Sequence, residues 1–381
     1  MERLSTLNFQ PLTKQLIVSQ SISLPAPRSA VTTIVRRVVP DAASLSRGAR
    51  ASLRTVGLTL ASMLVFLALW QGAASYLYGV EADSRIARAE ASGGAEAAAD
   101  MAACIAGGEA SCKPNTLPFP AEVWAAAGTL LADHRAISAK KDAFAAKTAA
   151  VNEQRAAQGL DLITYTGRPS FLDQVGTSLF TVLVGCLIAV LIAVPTGILI
   201  GLNATLRTAF NWMIQVFKPV SPVVWLLLVF MIVKTLTLGG DSDASFIISC
   251  ISVGLCSMWA TLVNTSLGVS SVNKDYLNVA RVLQLGVGKK VFKVILPSAV
   301  PLIFTGLRIT VSVAWMVLIA IELLAQSPGL GSFVWEEFQN GGTDSNAKIL
   351  VAMFVIGFVG FLLDRAMFSV QRAASFERAV A

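Results

Sequence analysis

The sequence predicts an all-α polytopic membrane protein: six transmembrane helices, both termini on the cytoplasmic side, and a large extracytoplasmic insertion between helices 1 and 2. Three observations carry this reading. Of 381 residues, 55% are hydrophobic and only 14% are charged, whereas a soluble domain carries about a quarter charged residues. Six apolar stretches are each long enough to cross about 30 Å of hydrocarbon. The net charge of +7 is distributed so that successive connections alternate between basic and acidic, as the positive-inside rule requires.

Residues 1–55 hold eight Lys and Arg against Glu2 and Asp41 and read as a basic cytoplasmic tail. A cleaved signal peptide is not expected, because the basic residues begin dozens of positions before the apolar core. Residues 56–78 form the first span, with Trp70, Tyr76 and Tyr78 towards its far end, where interfacial aromatics gather. Residues 79–174 are too polar to cross a bilayer. Their Ala-rich stretches favour helix, while Gly93-Gly94, Gly107-Gly108 and Pro114 to Pro120 interrupt it, so helical hairpin-like pieces outside the membrane are expected. Residues 175–370 carry five more spans, at about 175–202, 219–238, 245–267, 299–324 and 349–370, with a cytoplasmic loop at 268–298 between spans four and five. A short cytoplasmic tail, 371–381, closes the chain. Arg207 and Lys218, then Lys274 to Lys293, then Arg365 to Arg378 fall on the side of the basic tail. The acidic insertion, Asp241 with Asp243, and Glu336 with Asp344 fall on the other.

Enzymatic chemistry finds no support. His134 is the single histidine and lies in the insertion as a solvated residue, so neither a histidine triad nor a multi-histidine metal site is available. Gly286-Val287-Gly288-Lys289-Lys290 looks like part of a phosphate loop, but Leu283 replaces its first Gly and Lys290 its Ser/Thr. No catalytic residues, metal or bound cofactor are assigned. Cys186, Cys250 and Cys256 lie in apolar runs as packing residues. Cys104 and Cys112 share a polar segment, and a disulfide between them is available if that segment faces an oxidising compartment.

Polar residues in the spans mark a candidate path. Thr305, Arg308, Ser312, Trp315 and Glu322 fall on one stripe of span five at steps of three and four. Charges at that depth cost about 2.5–3.5 kcal/mol on insertion scales and must face protein or water. Arg308 is expected to pair with Asp364, and Glu322 with Lys234 or Lys348. Thr261, Asn264 and Thr265 sit in span four, and Gly197 with Gly201 forms a GxxxG packing motif in span two. In the loop between spans four and five, Val279, Val282, Leu283 and Gly286 recur at helical spacing, with Asn278, Arg281 and Gln284 elsewhere around the wheel. A short surface helix over 275–290 would either meet a partner or rest on lipid.

The stretch from Asn278-Val279-Ala280-Arg281 to Leu296-Pro297 resembles the EAA loop of binding-protein-dependent ABC importer permeases. Ala280, Leu296 and Pro297 match in register, while Asn278, Val279 and Gln284 stand where Glu, Ala and Gly are usual. Pro219-Val220-Ser221-Pro222 with Trp225, Trp259 with Asn264-Thr265, Phe304 to Arg308 with Ala314-Trp315, and Gly329 to Trp335 are similar to the nitrate, cyanate and bicarbonate branch of that family. The sulfonate and taurine permeases are near relatives. So read, the chain is a type I ABC importer permease in a bacterial inner membrane, carrying a small anion such as nitrate, nitrite or cyanate by alternating access. The resemblance implies as partners a second permease copy, an extracytoplasmic substrate-binding protein and cytoplasmic ABC ATPase subunits, which would bind the ATP. It also implies that Asp275, Asn278, Ala280, Arg281, Gln284 and Gly286 couple the loop to the ATPase. Thr261, Asn264, Thr265, Thr305, Arg308 and Glu322 are the residues expected along the translocation path. A sulfonate or taurine permease, and a membrane sensor or scaffold working through the insertion, stay open as alternatives.

Overall fold

The computed structural model describes residues 42–109, 111–236 and 244–374. Most of the basic tail, Asp241 with Asp243, and the last residues of the C-terminal tail lie outside these. Among the described residues the chain is helical, without strands. Contacts divide it at Phe66 into two units. In the first, the side chains of Val56, Leu58, Leu60, Met63 and Leu64 are exposed, the condition of an apolar helix surface meant for lipid.

Helix α1 (Ala42–Ala106) runs through the expected first span, 56–78, and on into the polar segment. It continues to Ala106, interrupted at Gly94, whose φ of 76° breaks the helical path. The Ala-rich composition between residues 89 and 103 explains the continuation. Helix α2 (Pro120–Ala157) begins with Pro120 in its first turn, and Glu122 accepts from the Phe119 N–H at 2.9 Å. The end of α1 and α2 are helical pieces between residues 79 and 174, docked on the rest of the chain rather than free. Trp70 Nε1 donates to Pro118 O at 3.0 Å, Asn115 Nδ2 to Gly341 O at 2.8 Å, and Lys141 pairs with Asp173 at 2.6 Å. His134, expected to be solvated, is half-buried with Nδ1 2.7 Å from Ser170 Oγ. A helix running back over the bundle end brings it there.

The bundle proper comprises α3 (Phe171–Leu202), α4 (Ala204–Phe217), α5 (Pro222–Leu236), α6 (Ala244–Ser270), α7 (Lys274–Val282), α8 (Val287–Lys290), α9 (Leu296–Ala325), α10 (Leu330–Asn340) and α11 (Thr343–Ala374). Helix α3 starts with a reciprocal cap in which Ser170 Oγ accepts from Asp173 N and Asp173 accepts from Ser170 N. Small residues then let α3 and α6 touch along their lengths. A Cβ on Gly185 would meet Val253, one on Gly197 would meet Thr265, and one on Gly201 would meet Val269. The same sequence offset recurs in all three pairs, so the two helices run parallel and in register. Gly306 brings α9 against Asn264 of α6 in the same way.

Five of the described helices are long and apolar enough to cross a membrane, or six if α4 and α5, which meet at 101°, make one broken span. Of the expected third span, 219–238, the described residues show α5, Pro222–Leu236, preceded by the bend. Pro219 and Pro222 withhold two backbone donors at the Lys218–Ser221 break. Upstream of it, α4 is an amphipathic helix with no buried residue.

Candidate functional site

Two polar features stand apart from the packed core, the connection between α6 and α9 and a cluster of polar groups inside the bundle. The single surface helix expected over 275–290 is two. Asn273 caps α7, its Oδ1 accepting from Asp275 N at 2.9 Å, while Asp275 in the first turn and Arg281 in the last complement the helix dipole. The helix stops because Gln284 takes a left-handed conformation, φ 48°, with Leu285 N returning to Ala280 O at 3.0 Å.

Of the six residues expected to couple the loop, Ala280 is 1% exposed and seats α7 against the bundle, whereas Asp275, Asn278, Arg281, Gln284 and Gly286 are exposed. Beside them lies an apolar row that includes Tyr276, Val279, Val282 (81% exposed) and Leu283, with Val287 on α8. Contiguous exposed apolar surface of this kind marks an interaction site. A π-helical turn, Val291–Ile295, then leads into α9 at Leu296-Pro297.

Inside the bundle the expected stripe on α9 divides. Arg308 donates from Nε and Nη2 to both oxygens of Asp364, at 2.6 and 2.9 Å, and its guanidinium lies 5.2 Å from the Phe368 ring. This is the expected pairing, in the forked geometry that favours Arg over Lys. Thr305 Oγ1 donates to Pro301 O at 2.9 Å and accepts from Gln371 Nε2 at 3.1 Å. Thr305, Arg308, Ser312, Asp364 and Gln371 line an open groove of about 430 Å³.

The other path residues are enclosed. Thr261 is fully buried, and its hydroxyl lies 2.7 Å from Thr310 Oγ1, which itself donates to Ser257 O. Thr265 is fully buried against Gly197, and Asn264 Nδ2 donates to its own helix at Ala260 O, 2.8 Å. These three pack α3, α6 and α9 together within the chain and are not among the residues lining the groove.

Glu322 meets neither lysine expected for it. Lys348 pairs with Glu337 at 3.2 Å, and Lys234 lies over the Phe230 ring. Glu322 is fully buried, accepting from Ser178 Oγ at 2.7 Å and from Gly331 N at 2.9 Å, while Leu330 N donates to Ser178 Oγ at 2.8 Å. The carboxylate thus sits on the amino end of α10, where free N–H groups favour an anion. A Cβ at Gly329 would collide with that carboxylate, and one at Gly331 with Ile319 O. Both glycines are required by close approach. Ser178 was not anticipated, since a lone Ser in an apolar span carries no periodic signal.

Cys104 and Cys112 form a disulfide in the structure, with Cα atoms 5.9 Å apart, and Arg85 Nη1 donates to Cys112 O at 3.3 Å.

A helical bundle held by small-residue contacts, with polar groups sealed within it and an amphipathic elbow projecting from one connection, defines a multi-span membrane permease. The chain belongs to the family of binding-protein-dependent transport system inner membrane components, whose pattern matches residues 193–375. The nitrate import permease protein of Synechococcus elongatus is 33% identical over 202 residues, 53% of this chain and 69% of that protein. A bicarbonate transport system permease protein of a Synechocystis species is 36% identical over 196 residues, 51% of this chain and 66% of that one. The taurine transport system permease protein of Escherichia coli is 31% identical over 217 residues, covering 55% and 74%.

Proposed function

We propose that this chain is the membrane-spanning subunit of an ATP-driven, binding-protein-dependent importer of a small anion, with nitrate or bicarbonate as the substrate class. The observation that carries the reading is the exposed elbow formed by α7 and α8. Its apolar row and flanking Asp275, Asn278, Arg281 and Gln284 present a compact face at the connection whose sequence follows the family's coupling loop. An ATPase subunit supplied from the cytoplasm takes that face in a surface cleft. ATP binding draws two ATPase subunits together, and the elbow moves as a rigid piece because Ala280 is seated on the bundle.

Two copies of the chain enclose the path, both termini lie in the cytoplasm, and the insertion faces outward, where a substrate-binding protein delivers the anion. Transport is then a two-state equilibrium whose bias comes from differential partner binding. Arg308 contributes positive potential to the groove it lines, neutralised in part by Asp364, which suits an anion that must leave as readily as it enters. The chain itself catalyses no bond-breaking; hydrolysis belongs to the ATPase subunit. No site for a cofactor or metal is assigned to it.

Proteoliposomes containing the permease, its ATPase and its binding protein test the reading with isotope-labelled nitrate, bicarbonate and taurine. ATP-dependent accumulation of nitrate or bicarbonate is expected. Accumulation of taurine alone would move the chain to the sulfonate branch, and no ATP-dependent uptake at all would overturn the transporter reading.

A further inference from the structure

The break between α4 and α5 lies against the middle of α6. Phe217 ends α4, Trp225 sits in the first turn of α5, and Trp259 is about 16 Å from the α6 end at Ser270, at about 1.5 Å per residue. Their rings form a triangle, with centroids 5.9 Å apart for Phe217 and Trp225, 6.2 Å for Phe217 and Trp259, and 6.4 Å for Trp225 and Trp259. Trp259 is only 5% exposed. The indole nitrogens of both tryptophans are buried and have no hydrogen-bond partner.

An indole N–H is a donor only, and leaving two such donors unmet inside a membrane is costly. Nearby groups carry the same sign. Lys218 lies within the break, and residues 204–236 and 244–270 contain no Asp or Glu, while the Val224 and Trp225 N–H groups of α5 are already taken by Ser221 O. The group that completes this site is an acceptor and an anion. In secondary transporters, breaks in spanning helices near the bilayer midplane are where such groups bind.

We propose that Trp225 and Trp259 form a station for a planar oxyanion of the nitrate or bicarbonate type, whose oxygens accept the two indole N–H hydrogen bonds beside the α4–α5 break. This rests on the anion-importer reading above and adds the residues that meet the anion. The nitrogens are closed to solvent in this structure, so the anion enters when α4 and α5 part. Their junction is weakly tied, by bonds such as Val220 N to Phe217 O at 3.2 Å, between two prolines.

The full chain, labelled with 5-fluorotryptophan and held in lipid nanodiscs, is titrated with sodium nitrate against sodium chloride at constant ionic strength while ¹⁹F spectra are recorded. The seven tryptophans give separable signals, assigned with Trp225→Phe and Trp259→Phe. Expected is a saturable shift of the Trp225 and Trp259 signals, with Trp124 and Trp335 unmoved, and about a tenfold weaker nitrate response of the remaining indole in each Phe variant. The unsubstituted chain alone decides the main point, since a saturating pair of signals must exist even if a variant folds poorly. Fixed signals, or all seven drifting together without saturation, overturn the station. If the reconstituted complex accumulates nitrate while both signals stay fixed, the station falls and the importer reading stands. If nitrate moves both signals but the complex carries only taurine, the station stands and the nitrate reading falls.

Discussion

Replacing Ser178 with alanine removes one hydroxyl that serves two partners. Its hydrogen goes to the Glu322 carboxylate at 2.7 Å, and its oxygen takes the Leu330 N–H at 2.8 Å. First-turn amides of a helix have no partner within the helix, so protection of Leu330 and Gly331 comes only from Ser178 and Glu322. A hydrogen bond to a charged group is worth about 1.5–3 kcal/mol and a neutral one about 1. The Gly331 N–H still holds the carboxylate at 2.9 Å, which keeps the loss near the low end, about 2.5 kcal/mol in all. At about 1.4 kcal/mol per factor of ten, opening of the α10 amino end becomes about 60-fold more favourable. Amide hydrogen exchange in nanodiscs reads this directly at Leu330 and Gly331. Exchange within threefold of the unsubstituted protein at both amides would refute the claim that Ser178 and Glu322 anchor α10.

Other perturbations test other contacts. Asp364→Arg alone or Arg308→Asp alone should lower nitrate uptake and thermal stability, and the exchanged pair should recover part of both; a double variant no better than either single one would deny the pairing. Gly197→Leu should abolish folded yield in membranes, because even a Cβ there lies 2.9 Å from Leu262 O, and monodisperse material on size exclusion would contradict it. Val282, 81% exposed on the apolar row of α7, should be sensitive to charge, and Val282→Asp should cut ATPase-coupled uptake at least tenfold. Cys104 and Cys112 should resist maleimide in intact protein and react after reduction; labelling without reductant would show them free.

Much of the fold was legible because the bilayer simplifies the code. Long uncharged runs and the amphipathic stretch near residue 280 each carry a physical signal that needs no tertiary information. The Arg308–Asp364 pair was legible for the same reason, since two opposite charges at membrane depth demand each other. What escaped depended on which helices meet. Glu322 was assigned to lysines by charge, but the contact of α3 with α9 and α10 supplied a hydroxyl and a helix end instead. Thr261 and Thr265 have the composition of path residues, and only the close approach through Gly197 and Gly306 explains their enclosure. The division of 275–290 into two helices turns on the left-handed Gln284, and Gln is a residue whose type does not announce that conformation. His134 looked solvated because the return of α2 over the bundle leaves no local trace in sequence.

The role of the α7–α8 elbow is tested most directly by a cysteine at position 282. In the assembled transporter, Val282→Cys should cross-link to the ATPase subunit and should react with a membrane-impermeant maleimide only from the cytoplasmic side. Labelling from outside in intact cells, or cross-linking that never captures an ATPase subunit, would contradict it.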